Sequence, residues 1–233
     1  MSGHRFPLPP FLVGCLLWLA GVTVLFAVGC TPRAVPQRAP EAAAAPAPRP
    51  GPIPADAQRW RSQLVRNARL EWGLDAPTST FAAQVHQESG WRADARSPVG
   101  ASGMAQFMPA TASWISGAYR RLGPEDPTNP VWALRALVVY DRHLWERAQA
   151  ATGCERMAKT LSGYNGGAKW VARDEVLARQ RGLDPGRWFG HVEAVNSGRH
   201  AAAWRENRGY PRRILRELEP RYLAAGWGGG SCN

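Results

Sequence analysis

The pattern that most restricts this chain is a four-residue repeat of apolar side chains. Trp60, Leu64, Ala68 and Trp72 recur every fourth position, and Arg59, Arg61, Arg66 and Arg69 take the other faces. That spacing predicts a helix over Ala55 to Trp72 with its tryptophans packed on a core. After Pro77, Phe81, Val85 and Glu88 fall at i, i+4 and i+7 and predict a second helix. Thr78 or Ser79 can cap it, and Gly90 can end it. One member of this second stripe is a carboxylate. Burial makes its ionisation costly and raises its pKa, which favours the protonated form that a general acid requires. Glu88 is therefore the first candidate for chemistry.

The rest of the domain reads the same way. Pro109 can open a helix that runs toward Tyr119, a favoured place for proline. Gly123 to Pro130 is a loop. Asn129-Pro130 can cap and start a long helix, Val131 to Arg147, with Trp132, Ala136, Val139 and His143 or Leu144 on its buried side. His143 reads as a partly exposed helix residue in preference to a base. Cys154 to Leu161 predicts a short helix leading into Ser162-Gly163-Tyr164-Asn165-Gly166-Gly167, which by itself reads as a helix end closed by Asn and Gly in left-handed conformation. Lys169 to Gln180 predicts a polar helix. Gly182 to Gly198 is irregular and holds Pro185, Trp188 and Phe189. Ile214, Leu215, Leu218 and Leu223 predict a final helix from Tyr210. The fold class is all-α with little strand.

The N-terminus is different in kind. Arg5 precedes an apolar run from Phe11 to Val28, which reads as a signal-peptide core and is nearly long enough to span a membrane. The run ends at Ala27-Val28-Gly29-Cys30, which resembles a bacterial lipobox with Cys30 as the lipidated residue and Ala27 where Leu is commoner. A retained N-terminal anchor and plain secretion are the other readings. Thr31 to Pro54 is rich in Pro and Ala, lacks apolar periodicity and cannot bury a core. At about 3.1 Å per residue in polyproline II form it would hold a domain some tens of Å from a membrane. The expected division is a leader over 1–29, a linker over 30–55, a catalytic domain over 56–227 and a flexible tail over 228–233.

Of the four cysteines, Cys15 belongs to the leader and Cys30 to the lipobox. Cys154 and Cys232 remain as a possible disulfide in an oxidising compartment. The loop-entropy model gives such a bridge about 4 kcal/mol. No His and Cys spacing suits a metal, and no cofactor is expected. The net charge is +11, with basic residues spread along the chain. An export signal without a nucleic-acid motif turns that charge away from nucleic acid and toward anionic wall peptides or phospholipid headgroups. A solvated basic surface with no specific partner also fits.

Glu88-Ser89, Ala95, Ser97, Gly100-Ala101-x-Gly103, Gln106 and Met108-Pro109-x-Thr111-Ala112 together closely resemble the signature of the soluble lytic transglycosylases, which cleave bacterial peptidoglycan. Met104-Ala105 precedes Gln106 where many members have Leu-Met. Tyr164-Asn165-Gly166-Gly167 resembles the second motif of that family, and Glu206 four residues before Tyr210 resembles the third. The likeness covers Gln58 to Trp227, with a somewhat long stretch between the second and third motifs.

The resemblance implies a lysozyme-like helical domain around a groove that takes peptidoglycan glycan strands. It also implies one carboxyl group, Glu88, acting first as acid and then as base while the substrate's N-acetyl group stabilises the anomeric carbon. Ser97 would lie near that acetamido group, and Gln106 and Met108 would line the groove. Tyr164 would bond near Glu88 or the acetamido oxygen, and Asn165 would touch the sugar. Glu206 and Tyr210 would position these groups. A turn-capping role for Ser97 stays open. Trp188 and Phe189 could stack on sugars or simply pack. Ordinary glycoside hydrolysis needs a second carboxylate, for which Asp94 and Glu206 are the candidates. A muramidase on the same fold and an inactive wall-binding lipoprotein are the alternative readings.

Overall fold

The structure, a computed structural model, describes residues 52–232. Cys15, Cys30 and most of the Pro- and Ala-rich segment lie outside the described residues. The described chain forms α1 (Ala55–Trp72), α2 (Thr78–Ser89), α3 (Pro109–Ala118), α4 (Pro130–Arg147), α5 (Gly153–Gly166), α6 (Ala168–Gln180), α7 (Ala201–Arg212) and α8 (Glu219–Ala224). Short 3-10 turns lie at Arg120–Leu122 and Val192–Ala194. Among the described residues there is no strand, only isolated bridges of Ser102 with Arg96 and Phe107. The all-α expectation holds. No described helix is long and apolar enough to cross a membrane.

Helix α2 is the spine. Every residue from Thr78 to Val85 is buried, against α1 on one side and α8 with the turn before it on the other. Neither Thr78 nor Ser79 caps it. Pro77 holds the cap position, the Thr78 hydroxyl donates to Ala76 O (3.3 Å), and the Ser79 hydroxyl donates to Gly228 O (2.8 Å). The Ser79 N–H donates to Gly229 O at 2.9 Å. The helix start is buried, so its orphan N–H groups need a fixed acceptor, and the backbone of the C-terminal segment supplies it.

Segment 228–232, expected to be a flexible tail, is tied down for the same reason. Ser231 and Cys232 donate their N–H groups to the Glu219 carboxylate (3.1 and 3.2 Å), and Thr80 donates to it as well. A disulfide joins Cys232 to Cys154 at the start of α5, 78 residues earlier.

The local signals placed most helix boundaries. Gly90 closes α2 at φ 61°, Pro109 opens α3, and the Asn129 side chain accepts from the Val131 N–H (3.0 Å) ahead of α4. Two boundaries differ. Helix α5 continues through Tyr164 and Asn165 to Gly166, and it ends at Gly167, whose φ of 92° and ψ of 130° are not those of a left-handed cap. The last helix does not begin at Tyr210. It runs from Ala201 to Ala224 with Pro211 inside it, and the turn after the proline widens into a π-helix, Arg213–Leu218. Proline lacks an N–H and crowds the preceding turn. Burial of Asn207, Tyr210, Ile214 and Leu215 against α2 and α5 outweighs that cost, and the π-turn absorbs the misfit.

The irregular stretch between α6 and α7 packs inward. Trp188 is fully buried, and the N–H groups of Trp188 and Phe189 donate to the Glu155 carboxylate (2.5 and 3.0 Å). The buried Asp174 of α6 accepts from Ser197 N–H (2.9 Å) and Arg208 (2.6 Å), with Arg199 at 3.3 Å. These contacts fix α7 against α6.

Candidate active site

The last turn of α2 brings Glu88 to the wall of a cavity of about 350 Å³. Ser97, Gln106, Met108, Tyr164, Asn165, Glu206 and Tyr210 all line it, so the residues singled out from the sequence converge in space. Asp94 is exposed and does not line it; Trp188 and Phe189 do not either.

Glu88 is half-buried, and its surroundings push its pKa up to about 8. Loss of hydration on burial is the main cause. A hydrogen bond from the Tyr210 hydroxyl to Glu88 Oε1 acts in the opposite direction, and the charge of Glu206 adds a little to the rise. The carboxyl is therefore protonated at neutral pH and already oriented by a donor. The resemblance puts Tyr164 near Glu88 or the substrate's acetamido oxygen. In the structure the Tyr164 hydroxyl donates to Ala105 O (2.7 Å), and Tyr210 is the partner of the acid. Burial and the nearby Glu88 charge raise the pKa of both tyrosines well above the usual value, so both stay hydroxyl donors.

The loop after α2 forms the opposite wall. Ser89, the last residue of α2, ties that loop down by donating its hydroxyl to Met104 O (2.8 Å). Ser97 performs the turn-capping role: its hydroxyl accepts from Ala101 N–H (2.9 Å) while the residue faces the cavity. Gln106 adopts φ 48°, uncommon for a residue with a side chain, and its amide donates to Gly103 O (2.9 Å) and Ala95 O (3.2 Å). Gly103 leaves no room for any side chain, since a Cβ there would stand 1.6 Å from Pro127 O.

Asn165 is positioned from below. The Asn207 amide donates to Asn165 Oδ1 (3.0 Å) and Ser162 O (2.9 Å) and accepts from Ser162 and Arg208 (2.8 and 2.7 Å). Asn165 Nδ2 lies 3.5 Å from Glu206 Oε1.

Several residues at this site carry no sequence signal. Tyr140 lines the cavity from α4. Asp141 beside it is fully buried, and loss of hydration raises its pKa well above the usual carboxyl value. Gln84 of α2 donates to it at 3.3 Å. Asp141 is thus a buried carboxyl behind Glu88 whose protonated form burial favours. Among the described residues no cluster of His, Cys, Asp or Glu could hold a metal ion.

Comparison with known proteins gives this geometry a context. The transglycosylase SLT domain family matches residues 64–184. A membrane-bound lytic murein transglycosylase F of Cellvibrio japonicus is 29% identical over 128 residues, which is 54% of this chain and 24% of that protein. A membrane-bound lytic murein transglycosylase F 2 of Alkalilimnicola ehrlichii is 35% identical over 136 residues, 56% of this chain and 29% of the relative. The chain spans about a quarter of the length of the curated relatives it matches. The 70 kDa soluble lytic transglycosylase of Escherichia coli shares the fold with a TM-score of 0.52 at 21% identity, over 74% of this chain and 25% of that one.

Proposed function

The chain belongs to the transglycosylase SLT domain family, and from that premise we propose that it is a peptidoglycan lytic transglycosylase with Glu88 as its single acid and base. The observation that carries the reading is a carboxyl held protonated to about pH 8 at the wall of a cavity, with a hydroxyl donor already on it.

Glu88 gives its proton to the oxygen between N-acetylmuramic acid and N-acetylglucosamine as the bond from that oxygen to the anomeric carbon breaks. The substrate's acetamido group shares the positive charge on that carbon. The muramic acid 6-hydroxyl then attacks it and returns its proton to Glu88. The products are an N-acetylglucosamine end and a 1,6-anhydro ring, and no water is consumed. Tyr210 favours the carboxylate formed midway, because its hydrogen bond stabilises the charged form. Asn165, oriented by Asn207, and Ser97 present polar groups to the sugar. Met108, 42% exposed, offers an apolar edge.

A second carboxylate suited to hydrolysis is hard to find. Asp141 is fully buried, which favours its protonated form, and Glu206, although it lines the cavity, is exposed with its carboxylate at Asn165. This favours the transglycosylase over a muramidase, and the positioned acid favours it over an inactive wall-binding protein. The names of the relatives, which describe membrane-bound murein enzymes, fit a place in the cell envelope. The leader, lipidation at Cys30 and a periplasmic position belong to the same proposal.

The deciding experiment digests purified peptidoglycan with the protein and with Glu88→Gln and weighs the fragments. Fragments lighter by one water, absent with the variant, are expected. Fragments at the hydrated mass would make the protein a hydrolase.

A further inference from the structure

We propose that Trp114, backed by Tyr140 and His143, is a stacking platform for a sugar of the glycan strand beyond those held in the cavity. The inference rests on the glycan-cleaving reading and adds a binding subsite to it. Trp114 is 45% exposed on α3. It stands three residues after Thr111, which lines the cavity, and so shares its helix face. Its ring meets His143 at 4.9 Å and 78° and Tyr140 at 6.0 Å and 67°. Tyr140 is itself part of the cavity wall, so the platform is continuous with the site. The Tyr119 hydroxyl bonds His143 Nδ1 at 2.8 Å and fixes the imidazole from behind. These steep-angled contacts lock the indole in place.

The distribution of exposed apolar groups points the same way. Seven large apolar side chains are exposed among the described residues, and three of them, Val99, Met108 and Trp114, stand at this cavity or beside it. A pyranose ring suits such a surface. Its C–H face packs on an aromatic ring while its hydroxyls stay in water. A β-1,4 glycan leaving the cavity presents its sugars in series, and each one that finds a rigid aromatic surface adds affinity at little cost in ordering. Exposed tryptophan with no such role is unfavourable surface, since it leaves a large apolar ring in water.

The test measures binding of β-1,4-linked N-acetylglucosamine oligomers of increasing length to Glu88→Gln protein, which holds glycan without cutting it. Trp114→Ala and Trp114→Phe are compared in that background, with thermal unfolding of each. Loss of one aromatic stack is expected to weaken the longest oligomers roughly tenfold. Oligomers too short to leave the cavity should be unaffected, and Phe should restore most of the loss. The same substitutions with Glu88 intact should lower kcat/KM on long strands while the anhydro product persists. Equal weakening at every length, or none at any length, overturns the subsite and leaves the proposed function standing. Absence of anhydro product from the unsubstituted protein overturns the function, and the subsite with it.

Discussion

At Glu88 two effects oppose each other, and their balance sets the working pH. Burial raises the pKa and the Tyr210 hydroxyl lowers it; burial wins, and the group titrates at about 8. A reaction that begins with the protonated carboxyl must lose rate as pH rises through that value. Tyr210→Phe removes only the lowering influence, so the alkaline limb of kcat/KM should move to higher pH. The maximum rate should fall roughly tenfold or more, since a hydrogen bond to a charged group is worth about 1.5–3 kcal/mol. A pH–rate profile checks both, and an unmoved limb would remove Tyr210 from the account. The acid itself was legible from one helical stripe, because a carboxylate among core positions is conspicuous in a sequence. Its partner was not. Tyr164 and Tyr210 both stand at motif positions, and only the packing of α5 and α7 around α2 decides which hydroxyl reaches Glu88. Tyr140 and Asp141 were invisible for a related reason. They sit in a helix with ordinary core periodicity, and their importance comes from what α4 packs against.

At the scale of elements, the loop between α2 and α3 is held both by Trp91, Met104 and Phe107 buried in the core and by close backbone contacts. Gly103 lies against the backbone of Pro127, where a methyl group would overlap a carbonyl oxygen. Gly103 also has φ 76°, which costs any other residue further strain. Gly103→Ala should therefore lower the melting temperature by several degrees, about 2–4 °C for each kcal/mol lost in a domain of this size. It should also cut activity more than it cuts stability, because Gln106 and Ser97 hang on the same loop. Calorimetry beside a turnover assay measures the two separately. Helix starts at Pro109 and Asn129-Pro130 were legible because capping is local chemistry. The start of α2 and the span of α7 were misread because their termini are decided at long range. The carbonyls of Gly228 and Gly229 serve the first, and burial carries the second through Pro211.

At the scale of the molecule, the first helix and the C-terminal segment both pack on α2. The C-terminal segment contributes acceptors to its first turn, and the disulfide fastens that segment to α5. Replacing Cys232 with Ser should lower stability by about 2–4 kcal/mol, read as a drop in denaturation midpoint that reductant reproduces in the unsubstituted protein. The bridge also has a topological effect. Residues 154 to 232 form a closed covalent ring, and Tyr164, Asn165, Glu206 and Tyr210 all lie on it. A protease that cuts at the exposed Arg181, where the stretch between α6 and α7 begins, would open the ring without detaching any of them from the rest of the chain. On a gel the nicked protein should run as one band until thiol is added and as two afterwards, and the proposed glycan cleavage should persist until then.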